Sequence, residues 1–347
     1  MKRGFVLGLL SLYVALQGLS FASVGSAQEA LPKTPPIPKD NPMTPAKIEL
    51  GKELFFDPRL SRPGTISCNS CHNVMAGGDD NRGLSLGFKS QLGGRSAPTV
   101  WNAAYQSIQF WDGRAPTLEE QSKGPLINPV EMGMDAHAVV ISRITKIKGY
   151  AEQFEKVFGK DSMNIDNVAK AIAAYERTLI TPDSAFDQFI RGNKKAMTAA
   201  QIKGFETFKT VGCIACHSGA NFSGPALPVG TAFFQKFPTF PDADLDKKYG
   251  FSKDLGRADV TKQEGDKHMF RVPTLRNIAL TAPYFHNGSV PTLNEAVRVM
   301  AKVQLNRVLT DQEAGEIETF LGALTGKFPK QTMPRLPETP GTTLLAD

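Results

Sequence analysis

The sequence predicts a mainly α-helical protein built from two related modules and wrapped by long irregular segments. Three observations carry this prediction. Apolar residues recur at helical spacing in several capped stretches, while alternation with a period of two is nearly absent. A set of short motifs occurs twice with the same internal offsets. The 31 Gly and 24 Pro among 347 residues demand much chain outside regular elements. That length suits two domains of ordinary size, and the 41% hydrophobic content is enough for a core in each. The composition excludes a disordered tail protein, and four Cys exclude a disulfide-dense scaffold. The formal charge of +6 is mild and comes with no basic stripe interleaved with aromatics, so no nucleic-acid partner is expected.

Taken in order, Met1-Lys2-Arg3 is basic, residues 5–16 are apolar, and small residues follow up to Ala27. This is the pattern of a secretory signal peptide over 1–27, with cleavage after Ala27 or, as the weaker alternative, after Ala22. The apolar run falls short of the ~20 residues that span a bilayer, and no later segment is long and apolar enough. An exported protein with no membrane span is expected. Residues 28–45 carry six prolines and read as an extended leader. Thr44 then caps a helix with Pro45 at its first position, continuing through Ile48, Leu50, Leu54 and Phe55. Residues 135–158 predict two amphipathic helices broken at Gly149, and 164–180 a helix that stops before Pro182. Thr198 with Gln201, and Thr310 with Glu313, are capping boxes that open helices over 198–209 and at the carboxy-terminal end. Residues 73–99 and 219–267 are long and irregular, as loops are when they wrap something bulky or carry function.

The repeat pairs Pro98-Thr99-x-x-Asn102, Phe110-Trp111-Asp112-Gly113 and Pro116-Thr117-Leu118 with Pro273-Thr274-x-x-Asn277, Phe285-His286-Asn287-Gly288 and Pro291-Thr292-Leu293. Upstream, 51–55 resembles 204–208, each ahead of a Cys pair. The boundary is placed near residue 165, giving an amino-terminal domain over 46–164, a carboxy-terminal domain over 165–325 and a Pro-rich tail over 326–347.

The two Cys pairs use all four cysteines. Cys68-x-x-Cys71-His72 and Cys213-x-x-Cys216-His217 have the spacing of c-type haem attachment: two thiols one turn apart add to the haem vinyl groups, and the adjacent His reaches the iron. A redox dithiol needs no following His and belongs in a βαβ context that is missing here. A zinc site would have to join pairs far apart in sequence. Disulfides are permitted in an exported protein but leave both His unexplained. Haem c is assembled outside the cytoplasm, so motif and compartment agree. His137 reads as structural. Ten Met are candidate sixth ligands, and spacing does not choose among them.

Over residues 48–326 the chain resembles the bacterial dihaem cytochrome c peroxidase family, which also contains the MauG-type dihaem enzymes. The resemblance is carried by 68–72, 109–114 (QFWDGR), 129–132 (PVEM), 213–218 and 271–288 (RVPTLRNIALTAPYFHNG). It implies two cytochrome c-like domains, each holding one covalently attached haem c. The haem on Cys68, Cys71 and His72 would be the peroxidatic site, and the haem on Cys213, Cys216 and His217 the electron-accepting site, with Met300 as axial ligand. A thioether raises the potential of its iron, which suits a site receiving electrons. Read without the resemblance, Met300 is a core residue of an amphipathic helix. Glu131 matches the family's catalytic acid–base, a carboxylate able to take a peroxide proton and return it to the leaving oxygen; its ordinary reading is a surface charge. Trp111 matches the tryptophan between the haems, a relay that also packs. The resemblance further implies a calcium ion held by the carbonyls of Thr281 and Pro283, a homodimer, a periplasmic location, hydrogen peroxide as substrate, and a small cytochrome c or cupredoxin as electron donor.

The chain departs from the family pattern twice. Phe88 stands where many members carry a distal His, and no His lies between His72 and His137. The first haem is therefore expected to be five-coordinate or water-bound when oxidised, with no reductive activation needed. Ser96 stands where an Asn calcium ligand is frequent, which weakens the expected calcium dependence. Two other functions compete. A MauG-like oxidase acting on a protein or organic substrate carries Tyr in place of the axial Met, so Met300 argues against it. A non-catalytic dihaem electron carrier needs neither Glu131 nor an open iron.

Overall fold

The structure is a computed structural model that describes residues 28–345; the expected signal peptide lies outside them. Among the described residues the helices are α1 (Pro45–Phe56), α2 (Cys68–Cys71), α3 (Leu118–Ile127), α4 (His137–Thr145), α5 (Lys148–Phe158), α6 (Ile165–Glu176), α7 (Ala185–Ile190), α8 (Ala199–Val211), α9 (Ala243–Tyr249), α10 (Ala258–Thr261), α11 (Leu293–Leu305) and α12 (Asp311–Gly322). Two three-residue strands, β1 (Phe234–Lys236) and β2 (Met269–Arg271), pair antiparallel with Phe234 opposite Arg271. The mainly α expectation holds. None of the described helices is long and apolar enough to cross a membrane.

The predicted caps form. Thr44 Oγ1 accepts from Lys47 N–H at 3.3 Å with Pro45 in the first turn, and both capping boxes close reciprocally at Thr198/Gln201 and Thr310/Glu313. Three expectations are corrected. The break between α4 and α5 falls at Lys146 and Ile147, and Gly149 sits inside α5. A Cβ there would lie 2.7 Å from Pro337 Cβ, so this glycine admits the returning tail and does not break the helix. α6, expected over 164–180, ends at Glu176, ahead of the expected stop, and the chain reaches Pro182 through a turn. Residues 219–267 are not irregular throughout, since they contain β1, α9 and α10.

Each module is framed by one close helix crossing. Gly51 of α1 meets α6 so closely that a Cβ would lie 1.8 Å from the Ala171 carbonyl oxygen, and Gly204 of α8 meets α12 with a Cβ 2.0 Å from the Glu316 carbonyl oxygen. Only glycine allows backbones to approach this far. Around the first crossing pack Leu50, Leu54, Phe55, Ile172 and Tyr175; around the second, Phe186, Phe205, Phe208, Phe222 and Phe320. α6 thus opens at the expected boundary residue yet packs with the first core. A third cluster, including Phe237, Phe251, Phe270 and Tyr284, lies toward the residues between the modules.

The sequence repeat is structural. At a constant separation of 175 positions, Asn102 and Asn277 are left-handed caps of short 3₁₀ turns, Phe110 and Phe285 take φ of 67° and 72°, Gly113 and Gly288 take 66° and 57°, and Thr117 and Thr292 cap α3 and α11. The bridge Gln109–Ala115 matches the bridge Tyr284–Val290.

The leader straps both modules. Gln28 Nε2 donates to the His217 carbonyl at 3.1 Å, and the fully buried Leu31 donates its N–H to Asp187 Oδ1 at 2.7 Å. That carboxylate is paired with Arg276 at 2.9 Å. Further along, Asn41 Nδ2 donates to Glu119 at 2.7 Å in the first module. The tail returns over that module, where Phe328 meets the Trp101 ring edge-on at 4.7 Å.

The crossing makes a direct prediction. Gly51→Ala should destabilise the holoprotein by about 2–3 kcal/mol through forced separation of α1 and α6. Gly315→Ala, on α12 with nothing within 4 Å of the added Cβ, should stabilise by roughly 0.5–1 kcal/mol through helix propensity. Denaturant melts of the two variants check both signs.

Candidate functional site

Each Cys-x-x-Cys-His segment lies on a single tight turn. In the first, Ser67 N–H donates to Ser70 Oγ at 3.0 Å and His72 N–H to the Cys68 carbonyl at 2.9 Å, closing α2 around the two thiols. In the second, Gly212 in a left-handed conformation (φ 106°) ends α8 and turns the chain so that His217 N–H reaches the Cys213 carbonyl at 3.0 Å. None of the four cysteines is in a disulfide, and burial pushes all four thiols up.

The two histidines are held alike. His72 Nδ1 lies 3.0 Å from the Pro98 carbonyl and His217 Nδ1 lies 3.0 Å from the Phe222 carbonyl. A carbonyl only accepts, so Nδ1 carries the proton in both rings, and the Nε2 lone pair is left for a metal. Burial lowers both imidazoles, which keeps them neutral.

A cavity of about 1050 Å³ adjoins Cys71 and His72, and a second of about 200 Å³ adjoins Cys213, Cys216 and His217. Cys71 and His72 line the first; both thiols and the imidazole of the second motif line the second, together with apolar residues such as Phe208, Val297 and Leu321. These donor sets fit two haem c groups.

The rest of the two linings differs. In the second cavity, α11 runs 13 residues and brings Met300 into the wall. The position 175 residues earlier is Pro125, in the wall of the first cavity. There α3 stops after 10 residues, and the turn that follows carries Glu131 into the wall. Asn128 organises this turn. Its Oδ1 accepts from Val130 N–H at 3.1 Å, and its Nδ2 donates to Glu131 Oε1 at 2.6 Å. Burial raises the Glu131 carboxyl above its ordinary value, against the pull of Arg114 and Asn128.

Phe88 is turned away from this cavity. Its ring packs on Gly133, where a Cβ would lie 2.6 Å from the ring, and the Arg62 guanidinium sits 5.6 Å above it. The Phe88 N–H donates to the Glu131 carbonyl at 2.8 Å, so loop and turn are fastened together.

Trp111 and His286 occupy equivalent positions in the repeat, and their rings meet edge-on at 6.4 Å in the wall shared by both cavities. Trp111 Nε1 donates to the Ser96 carbonyl at 2.9 Å, and Ser96 N–H to the His286 carbonyl at 2.7 Å. Ser96, Thr281 and Pro283 all line the first cavity. Asp79, 4% exposed with Oδ1 unpartnered, lies beside Thr281, and burial pushes it up to about 6. Such an oxygen-rich corner suits a hard cation.

Several residues in these walls escaped the sequence reading. Arg95 joins Asp112 at 2.5 Å and Asp254 at 2.7 Å, and Arg271, 6% exposed, lines both cavities and donates to the Phe110 carbonyl at 3.2 Å. His286 has its value lowered to about 4 by burial and stays neutral. Its alignment with Trp111 in the repeat was the available signal. His137 is structural, as expected: its Nε2 lies 3.0 Å from the Lys123 carbonyl.

Residues 45–195 match the family described as di-haem cytochrome c peroxidase, and residues 270–304 match a RoxA-like, cytochrome c-like family. The cytochrome c551 peroxidase of Nitrosomonas europaea is 44% identical, covering 97% of this chain and 96% of its own. The cytochrome c551 peroxidase of Pseudomonas aeruginosa is 45% identical over 89% of this chain and 88% of its own. The crystal structure of a MauG-like protein associated with microbial copper homeostasis superposes with a TM-score of 0.74 at 29% identity, covering 86% of this chain and 95% of that one. The chain belongs to the di-haem cytochrome c peroxidase family.

Proposed function

We infer that this chain is a di-haem cytochrome c peroxidase that reduces hydrogen peroxide to two waters, consuming two protons and two electrons from a small c-type cytochrome or a cupredoxin. One observation carries the reading: two His-bearing cavities have linings of different chemistry, Met300 in one and Glu131 in the other.

Cys68, Cys71 and His72 would hold the peroxidatic haem, and Cys213, Cys216, His217 and Met300 the electron-accepting one. Haem, when bound, supplies the one-electron chemistry and an iron that can bind peroxide. The polypeptide supplies the rest. Glu131 Oε1 is occupied by Asn128, which leaves Oε2 to take a proton from one peroxide oxygen and return it to the other as that oxygen leaves. Trp111 lies between the cavities as a relay. Ser96, Thr281 and Pro283 would hold one calcium ion, and Asp79 supports that assignment with an unpartnered carboxylate oxygen. Export to the periplasm after cleavage at Ala27, and a homodimer, complete the proposal. A MauG-like oxidase is disfavoured by Met300, and a pure electron carrier by Glu131.

Steady-state peroxide turnover with a reduced cytochrome c tests the function. Glu131→Gln should lower kcat/KM by about 10²–10⁴ with haem spectra intact, and should remove the acid limb of the pH profile. Because burial raises Glu131, that limb in the wild type lies above the ordinary Glu range, activity being lost as pH falls through it. A variant within a few-fold of wild type defeats the assignment. Electron paramagnetic resonance of the oxidised protein should show one high-spin haem, since Phe88 cannot ligate iron; two purely low-spin haems would contradict this. Native mass spectrometry should read a chain beginning at Gln28 with two covalent haems and one calcium ion, assembled as a dimer.

A further inference from the structure

α6 ends on a glutamate followed directly by an arginine, and the fold treats the two in opposite ways. Arg177 forms a two-point pair with Glu119 of α3, at 2.7 and 3.1 Å, and Asn41 adds a third bond to the same carboxylate at 2.7 Å. Glu176 is one position earlier, about 100° around the helix. It is 6% exposed, lies in the wall of the first cavity with His72, and has a fully buried Oε2 with no partner. Its surroundings are apolar: Ala103, Leu118 and Ala173 cluster beside this stretch of α6.

The charged groups on the packed elements relieve it only in part. Burial raises the Glu176 carboxyl; the adjacent Arg177 pulls it down, but its guanidinium is bonded to Glu119, and Glu119 repels Glu176. From α1, Glu53 is taken by Gln153 and Glu49 lies toward Tyr175. On α4, Arg143 reaches the carbonyls of Arg59 and Ser61. α2 contributes the Cys68 thiol, which is raised first by burial and further by the nearby Glu176. The same cavity is also lined by the acids Asp79 and Glu131 and by the arginine cations Arg95, Arg114 and Arg271, of which Arg95 and Arg114 are paired with Asp112 and Arg271 donates to the Phe110 carbonyl. A carboxyl this enclosed is held as the neutral acid unless a positive charge comes close.

We propose that Glu176 is a redox-linked proton site of the first haem, binding one proton from solvent whenever that haem gains one electron and releasing it on reoxidation. The proposal rests on the reading that Cys68, Cys71 and His72 hold a haem. Ferric haem carries one net positive charge on the ring and stabilises the Glu176 carboxylate; ferrous haem is neutral, so burial prevails and the carboxyl binds a proton. The donor protein supplies the electron and water supplies the proton, so charge in the cavity is unchanged. Burial, with repulsion from Glu119 and against the pull of Arg177, pushes Glu176 up to about 8, which sets the upper end of the pH range over which uptake occurs.

The test is a spectroelectrochemical titration of the first haem in the holoenzyme as a function of pH. Below about pH 8 the wild-type potential should fall by up to about 59 mV per tenfold drop in proton concentration, and above it the potential should level off. Glu176→Gln should give a flat potential that exceeds the wild-type value at alkaline pH, because the carboxylate is gone. Glu176→Asp should restore a slope, and Glu131→Gln should keep the wild-type one. A pH-independent wild-type potential overturns the proposal without any variant, as does an unchanged slope in Glu176→Gln. A haemochrome assay separates the two readings: one haem per chain refutes haem attachment at Cys68 and Cys71, whereas two haems with a flat potential refute only the role of Glu176.

Discussion

Each half of the molecule depends on one contact between two helix backbones. Where Gly51 meets Ala171, and where Gly204 meets Glu316, no side chain stands between the helices. The crossing fixes the angle at which each helix pair leaves its core. It leaves the rest of the module free to depart from regular structure around a cavity. Aromatic rings fill the angle behind the crossing, with Phe55 against Tyr175 in one module and Phe186, Phe205 and Phe208 against Phe320 in the other. In the second module Phe208, Ile317 and Leu321 of this packed core also line the cavity, so core and cavity wall are continuous. This is why so much of the sequence can be loop without the fold losing definition.

Against that common frame, the functional difference between the halves comes from a small local change. α11 is long enough to carry Met300 across its cavity. α3 reaches Pro125 at the equivalent position and ends at Ile127, and Asn128 folds the following residues into a turn that presents Glu131. A proline removes a backbone donor and crowds the preceding turn, so the helix gives way soon after it. A soft sulfur donor on one side has become a proton-handling carboxylate on the other. The repeat also brings Trp111 and His286 together, edge to face: they are one position in two copies.

Much of this was legible in the sequence. Thr44, Thr198 and Thr310 announced their helices because capping is local chemistry. The Cys-x-x-Cys-His segments were readable because covalent attachment dictates spacing, and the repeat because its turns need left-handed residues at fixed places. What was hidden depends on contacts between distant parts of the chain. Gly149 looks like a helix breaker until the tail is seen packed on it at Pro337. Glu176 and Arg177 are indistinguishable from a solvated pair until Glu119 and the cavity select between them. Arg271, Arg95 and His286 belong to a wall built from both modules, for which no local pattern exists. α6 opens where the halves were divided, yet its partner is α1, a relation set by the glycine crossing and invisible in the spacing of motifs.

The leader has a consequence for the order in which the molecule comes together. Gln28 and Leu31 bond residues 189 and 156 positions away, on the His217 turn and at the Arg276–Asp187 pair. Closing a loop that long costs entropy before any contact rewards it, so such contacts cannot lead assembly. They become available only when the second module has set its buried pair. The amino-terminal segment is therefore held by a surface the second module has to form, and through the fully buried Leu31 it becomes part of the interior it covers.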